Sequence, residues 1–294
     1  TCEDCCSRRV LADRCVRHVP LGERMSVVVQ CESCGGTVVF DAELEASRCL
    51  FCGSSTLAKT GNEGEEMSPP DFCLTIDVDS EQADQQYREW AQASWWSPKE
   101  LRTLSVKLRL MYLPAWWIRG EVESHWGGLV RASTKSGKTP VSGIHRATYE
   151  DIVTASQGVT SVELAELLPF RLEARTPWKD GDSEVPFEVP GLSEEGARGL
   201  IHERLSARHL QHILVEESLL SGSASSFVHE EENQLYLLPV YIGAFRFRER
   251  PWRFLINAQT GEVVGDAPVD RKKVAVVAGS ILFGLILLGL MASA

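Results

Sequence analysis

Cations are in short supply along this chain: 30 Lys and Arg stand against 41 Asp and Glu in 294 residues, a formal net charge of −11. That balance argues against a protein that holds nucleic acid by a basic face. The common catalytic signatures are missing as well, with no Gly-x-Ser-x-Gly elbow, no His-Glu-x-x-His pair and no Gly-x-Gly-x-x-Gly loop. The nearest approach to a phosphate-cradling loop is Gly137-Lys138-Thr139. Ala132 occupies the position that needs the first glycine, and Pro140 falls where the helix would have to start, so a hairpin turn is expected there instead. The first thirty residues contain no apolar run longer than Val27-Val28-Val29, too short for the core of a signal peptide.

What the chain does have is a pair of cysteine knuckles. Cys31-x-x-Cys34-Gly35 and Cys49-x-x-Cys52-Gly53 are separated by fourteen residues, enough for a hairpin. Four thiolates at this spacing match one tetrahedral Zn²⁺, and a glycine after the second cysteine of each pair suits the tight turn that aims backbone amides at sulfur. A zinc ribbon over residues 25–59 follows, with Cys31, Cys34, Cys49 and Cys52 as ligands of a structural Zn²⁺. All four positions are filled by protein, which leaves no open place for an activated water. The alternative, two redox Cys-x-x-Cys motifs, lacks the helix that such a motif opens. With Glu32, Asp41, Glu43 and Glu45 against Arg48 and Lys59, and the −2 of a Zn(Cys)₄ centre, the module carries roughly −4. A protein partner is therefore favoured over DNA. Ahead of the ribbon, residues 1–24 are a Cys-rich extension in which Cys2, Cys5 or Cys6, Cys15 and His18 have the form of a second metal site, while Met25 reads as a natural start; both readings stay open.

Residues 274–294 form a second outstanding run, twenty-one residues without a charge, eleven of them Leu, Ile, Val or Phe, behind Arg271-Lys272-Lys273. At about 1.5 Å per residue this length spans a hydrocarbon core of roughly 30 Å. The expectation is a tail anchor over 271–294, a single pass through the inner membrane, with the basic flank holding the rest of the chain in the cytoplasm. Reduced cysteines fit the same compartment.

Between the two lies a Gly/Pro/acidic linker at 60–71 and then a body that reads as α+β: a first unit over 72–185 and a second over 186–268. The division rests on an echo, Met111-Tyr112-Leu113-Pro114-Ala115-Trp116-Trp117-Ile118 against Leu235-Tyr236-Leu237-Leu238-Pro239-Val240-Tyr241-Ile242, each following a helical pattern and leading into alternating strand. Expected elements include a strand from Phe72, helices from Ser80 and Ser193, and a short helix opened by Ser97-Pro98-Lys99-Glu100 as a capping box. His202, His209 and His212 share the Ser193 helix with Glu203, Arg204 and Arg208 and read as part of its solvated face. The eight tryptophans read mainly as core. Asn257-Ala258-Gln259-Thr260-Gly261 before Glu262-Val263-Val264 resembles the strand–turn–strand ending of PepSY-type domains.

Together with Tyr112-Leu113-Pro114-x-Trp116, the stretch from Tyr149 to Ser156 and Leu164-x-Glu166-Leu167-x-Pro169-Phe170, these motifs resemble a family of bacterial membrane-anchored zinc-ribbon proteins. Its members are often labelled "TFIIB-type zinc ribbon" or "primosomal replication-restart helicase-like". The resemblance covers most of residues 25–270 and implies membrane partners that recruit phage-shock-type or flotillin-type scaffold proteins. The expectation from sequence is a non-catalytic, membrane-tethered adapter: an N-terminal zinc ribbon, two tandem helix-on-antiparallel-sheet units and one C-terminal transmembrane helix. A membrane-localised nucleic-acid-binding protein is the alternative.

Overall fold

A computed structural model describes residues 18–21, 24–32, 37–41, 49, 51, 54, 57–58, 69–93, 95–132, 137–179, 185–248, 250–270, 273–277, 279–280 and 284. In chain order the elements are β1 (His18–Leu21), β2 (Arg24–Cys31), β3 (Thr37–Asp41), β4 (Leu57–Ala58), β5 (Phe72–Leu74), α1 (Ser80–Ala93) and a 3₁₀ turn (Lys99–Thr103). There follow β6 (Leu108–Arg131), β7 (Lys138–Thr154), α2 (Ser161–Leu167), β8 (Arg175–Pro177), β9 (Phe187–Glu188) and α3 (Glu194–Glu216). The last three are β10 (Ser221–Phe247), β11 (Arg250–Asn257) and β12 (Val263–Gly265).

All twelve strands belong to one mixed sheet, in the order β1-β2-β3-β9-β6-β10-β11-β12 with β4, β5, β7 and β8 off that path. This overturns the expected pair of tandem units. The echoed segments are not the hearts of two sheets; they lie side by side, Met111 opposite Val240, Tyr112 opposite Pro239 and Leu113 opposite Leu238, in the antiparallel pair β6–β10. The reason is the pattern along each strand. β6 and β10 run for 24 and 27 residues, each with one apolar end and one alternating end, and antiparallel pairing sets the two apolar ends side by side, so that the same packed elements cover both.

The apolar half of the sheet is buried on both sides. On one side Met111, Leu113, Tyr236, Leu238 and Val240 meet Val29, Val38 and Phe51 of the ribbon and Leu164 and Leu167 of α2. On the other, Tyr241, Phe254 and Ile256 meet Ala83, Tyr87 and Ala91 of α1, with the Tyr87 and Phe254 rings stacked at 4.6 Å. The alternating half projects as a three-stranded arm, β7-β6-β10, one face of which carries α3 through Ala197, Ile201 and Leu205 on Ile118, Val122 and Leu235. On the opposite face Ile144 and Phe227 are exposed.

Glycine sets one close approach in the core. A Cβ on Gly243 would stand 2.1 Å from Cζ of Phe254, which is itself 1 % exposed. Gly243→Ala is expected to lower stability by about 3 kcal/mol through overpacking, read as a shift of the urea midpoint at unchanged slope.

Two local expectations change in detail. The Ser97 capping box is not made: the turn at Lys99–Thr103 starts on Pro98 with no side-chain cap. A complete box instead opens α2, where the Thr160 hydroxyl accepts from Glu163 N–H and the Glu163 carboxylate accepts from Thr160 N–H. Ser193 caps α3 as expected, accepting from Gly196 N–H.

The expected transmembrane anchor is corrected as well, and with it the single-pass inner-membrane placement. Among the described residues no helix is long and apolar enough to cross a membrane. The chain is helical at 273–277 and 279–280, and residues 278, 281–283 and 285–294 of the expected span lie outside the described residues. The start of this segment is bound to the body: Asp270 N–H donates to Trp96 O, and Lys273 Nζ donates to Trp95 O at 2.7 Å and Ser97 O at 2.9 Å.

Candidate metal centre

β2 and β3 form a hairpin around the first knuckle, with Gln30 opposite Thr37 and Val28 opposite Val39, while the returning strand expected at 47–48 between the knuckles lies outside the described residues. Cys31 is the last residue of β2, and β4 pairs back onto it, Leu57 opposite Cys31 and Ala58 opposite Gln30. The second knuckle is closed on itself by Cys49 N–H donating to Ser54 O at 2.8 Å. Pairing through β4 thus carries the chain from the second knuckle back to the start of the first. Cys31 and Cys49 are 1 % and 3 % exposed and share one buried cluster.

Of the expected ligand set, Cys34 and Cys52 lie outside the described residues, as do Cys2, Cys5, Cys6 and Cys15 of the possible second site; His18 opens β1. Among the described residues no group of three or more His, Cys, Asp or Glu is placed to hold a metal ion, so a metal-binding assignment gains no support from them. The donors that are described are compatible with Zn²⁺: two cysteines, each at the start of a knuckle, both buried in one apolar cluster whose water-poor setting suits thiolate ligation. Cys31, Cys34, Cys49 and Cys52 would hold the ion, which would supply cross-linking rather than chemistry.

The ribbon is seated on the body rather than hung from it. β7 leaves the edge of β6 at Ala115, and β9 takes that edge over, with Tyr112 opposite Phe187 and Tyr112 N–H donating to Pro186 O. β9 then carries β3, Val38 opposite Glu188 and Val39 opposite Phe187. Phe51, between the two cysteines of the second knuckle, is fully buried against Gly158, where a Cβ would come within 2.5 Å of its ring. Arg109 adds a bond from its guanidinium to Cys49 O at 3.1 Å.

At this seat lies a buried carboxyl that sequence reading passes over. Glu188 is fully buried; its Oε1 accepts from Gln157 N–H at 2.9 Å and Gly158 N–H at 3.1 Å, while Oε2 has no partner. Burial pushes its pKa up to about 7, against the lowering effects of Ser156, the two amides and Arg253. The sequence signal is a lone acid in the apolar stretch Pro186-Phe187-Glu188-Val189, which alone does not say whether the acid faces water.

The histidines of α3 also differ from expectation. His209 is fully buried, on the stripe Ala197, Ile201, Leu205, His209, Ile213 that faces the sheet. Its Nδ1 is 2.9 Å from the Ser124 hydroxyl, a pair with the composition of a nucleophile and base. Ser124 is itself fully buried under α3, so substrate cannot reach it. The tryptophans divide: Trp116, Trp117 and Trp126 are buried, whereas Trp95 and Trp96 are exposed beside Lys273. Lys138 and Thr139 of the rejected phosphate loop are exposed at the start of β7, and Ala132 N–H donates to Gly137 O across the turn.

No protein-family model matches the chain, and no solved structure matches it. The chain is similar to a Bacillus subtilis (strain 168) protein described as "Uncharacterized protein YdjG", 23% identical over 254 residues, covering 76% of this chain and 72% of that protein.

Proposed function

We propose that the chain is a non-catalytic zinc-ribbon protein that acts as an adapter for a protein partner. The observation that supports the reading is the burial of Cys31 and Cys49, each first in its knuckle, in one apolar cluster, with β4, which follows the second knuckle, paired onto Cys31. Charge then selects the class of partner. A ribbon of roughly −4 on a chain of −11 repels phosphate, so nucleic acid is disfavoured and a protein surface is the natural ligand. The burial of Ser124 beneath α3 supports a binding role over a hydrolytic one. A scaffold protein of the kind that the family resemblance implies is the partner to test first.

The test joins metal content to binding. The full chain is expected to hold about one zinc, and a photo-crosslinker placed at exposed Glu32, next to Cys31, is expected to trap the scaffold partner only while zinc is present. Zinc-free protein that crosslinks equally well, or purified protein that retains nucleic acid with a steep salt dependence and traps no protein, defeats the reading.

A further inference from the structure

The polar layer under the C-terminal half of α3 has no part in the adapter reading. Ser226 and Ser124, on β10 and β6, share a hydrogen bond at 2.7 Å. Ser124 meets His209 Nδ1 at 2.9 Å, His209 Nε2 meets His145 Nδ1 at 2.6 Å, and His145 Nε2 meets Glu216 Oε2 at 3.0 Å. A second branch reaches the same carboxylate oxygen: Tyr149 Oη meets His212 Nδ1 at 2.7 Å, and His212 Nε2 stands 3.4 Å from Glu216 Oε2. Glu216 can only accept when ionised, so the direction of every proton follows from it. His145 and His212 donate from Nε2 and accept at Nδ1, His209 donates to His145, Ser124 donates to His209 and Tyr149 donates to His212. All three imidazoles are neutral in this arrangement, and every bond is satisfied.

We propose that this array is a proton-sensitive latch that holds the C-terminal half of α3 on the long sheet near neutral pH and releases it on acidification. Three imidazoles face one carboxylate. A proton added at His145, beside Glu216, is accommodated by reversing the His209 tautomer, so that His209 Nδ1–H points at Ser124. A proton added at His209 as well sets N–H against N–H across 2.6 Å, at the fully buried His209 ring. The other charged groups nearby are already engaged: Arg208 of α3 pairs with Asp151 of β7 and lies over the Tyr149 ring, and Glu230 of β10 pairs with Arg198 and His202. Glu216 is thus the carboxylate that faces the array.

The sign follows from His209, whose pKa is lowered by burial first and then by His145 and His212. Unfolded, an imidazole titrates near 6.5. The stabilising contribution of neutral His209 is therefore complete above that value and lost as pH falls below it, by up to about tenfold in the closed–open equilibrium per pH unit. The N-terminal half of α3 is held by Ala197, Ile201 and Leu205 on apolar side chains and does not share this dependence.

Hydrogen exchange of the full-length protein tests the latch, with labelling times corrected for the intrinsic pH dependence of exchange. Between pH 7.5 and 5.5, amides of 206–216 are expected to lose about tenfold or more of their protection, while those of α1 keep theirs. Glu216→Gln removes the one counter-charge from the half-exposed rim of the array, where folding is least at risk, and is expected to move the opening midpoint up by about half a pH unit or more. His209→Gln, where it folds, should flatten the dependence. Protection of α1 and α3 falling together, or a Glu216→Gln midpoint that does not move, overturns the proposal.

Discussion

Glu188→Gln is expected to stabilise the protein at pH 8 by about 3 kcal/mol and to change it little at pH 5. With a folded-state pKa raised to about 7 from the ordinary 4.5, the native protein holds a proton on this carboxyl that the unfolded chain gives up. The protonated group costs nothing below about 4.5. Its ionisation is increasingly resisted as pH rises toward 7, and above that the full penalty stands, about 1.4 kcal/mol for each unit of the shift. An amide keeps an oxygen for the Gln157 and Gly158 amides and cannot ionise. Urea unfolding at the two pH values measures the effect, and equal stability of the two proteins at pH 8 would show that Glu188 ionises without cost. Because Glu188 also fixes the Gly158 loop on which Phe51 sits, Glu188→Ala should destabilise at every pH by leaving both amides unpaired.

In the proposed zinc-ribbon reading, removal of zinc carries the second large effect. A ribbon of this size buries too little to fold without its ion, and in isolated zinc modules the metal contributes on the order of 10 kcal/mol. Strong chelation, or Cys31→Ser, is expected to abolish exchange protection in β2, β3 and β4 and to lower the melting temperature by about 10 °C, since loss of a few kcal/mol moves a chain of this size by a few degrees for each. The damage should cross into the body, because β3 is paired with β9 and Phe51 fills the space over Gly158. α1 and its stacked Tyr87–Phe254 pair lie on the opposite face of the sheet and should stay protected. A chelated protein that keeps protection in β2–β4 would remove zinc from the account.

Legibility varied with how local the physics is. α1 and α3 were readable because capping residues and a repeating apolar stripe mark both ends and one face: Ser80–Ala93 and Glu194–Glu216 fall where the sequence places them. The strand Thr37-Val38-Val39-Phe40 was readable from its apolar run, but its partner is β2, ahead of the first knuckle, rather than the stretch before Cys49. The single sheet was not. Periodicity reports that Leu108–Arg131 and Ser221–Phe247 are strands, buried on both faces at one end, but it is silent on which strand covers which. Read in isolation, two similar segments look like two units; paired, they are the spine of one. His209 was misread for a related cause: Leu205 and Ile201, four and eight residues before it, mark the buried stripe, yet the surrounding Arg204, Arg208 and Glu203 outweigh them until the sheet shows which side is covered. Glu188 carries no local mark at all, because its perturbation comes from the loop 156–158 and from β3, about 30 and 150 residues earlier in the chain respectively.

By itself the sequence determined the cysteine spacing that suits zinc, the net acidity of the chain, and the extents of α1 and α3, because each depends on composition or on residues close together along the chain. Only the tertiary structure decided that β6 and β10 pair, that the ribbon is built into the sheet through β9, and that three histidines meet one glutamate under α3. Pairing and burial join residues a hundred or more positions apart, and their free energies depend on which surfaces meet, a quantity that no local pattern contains.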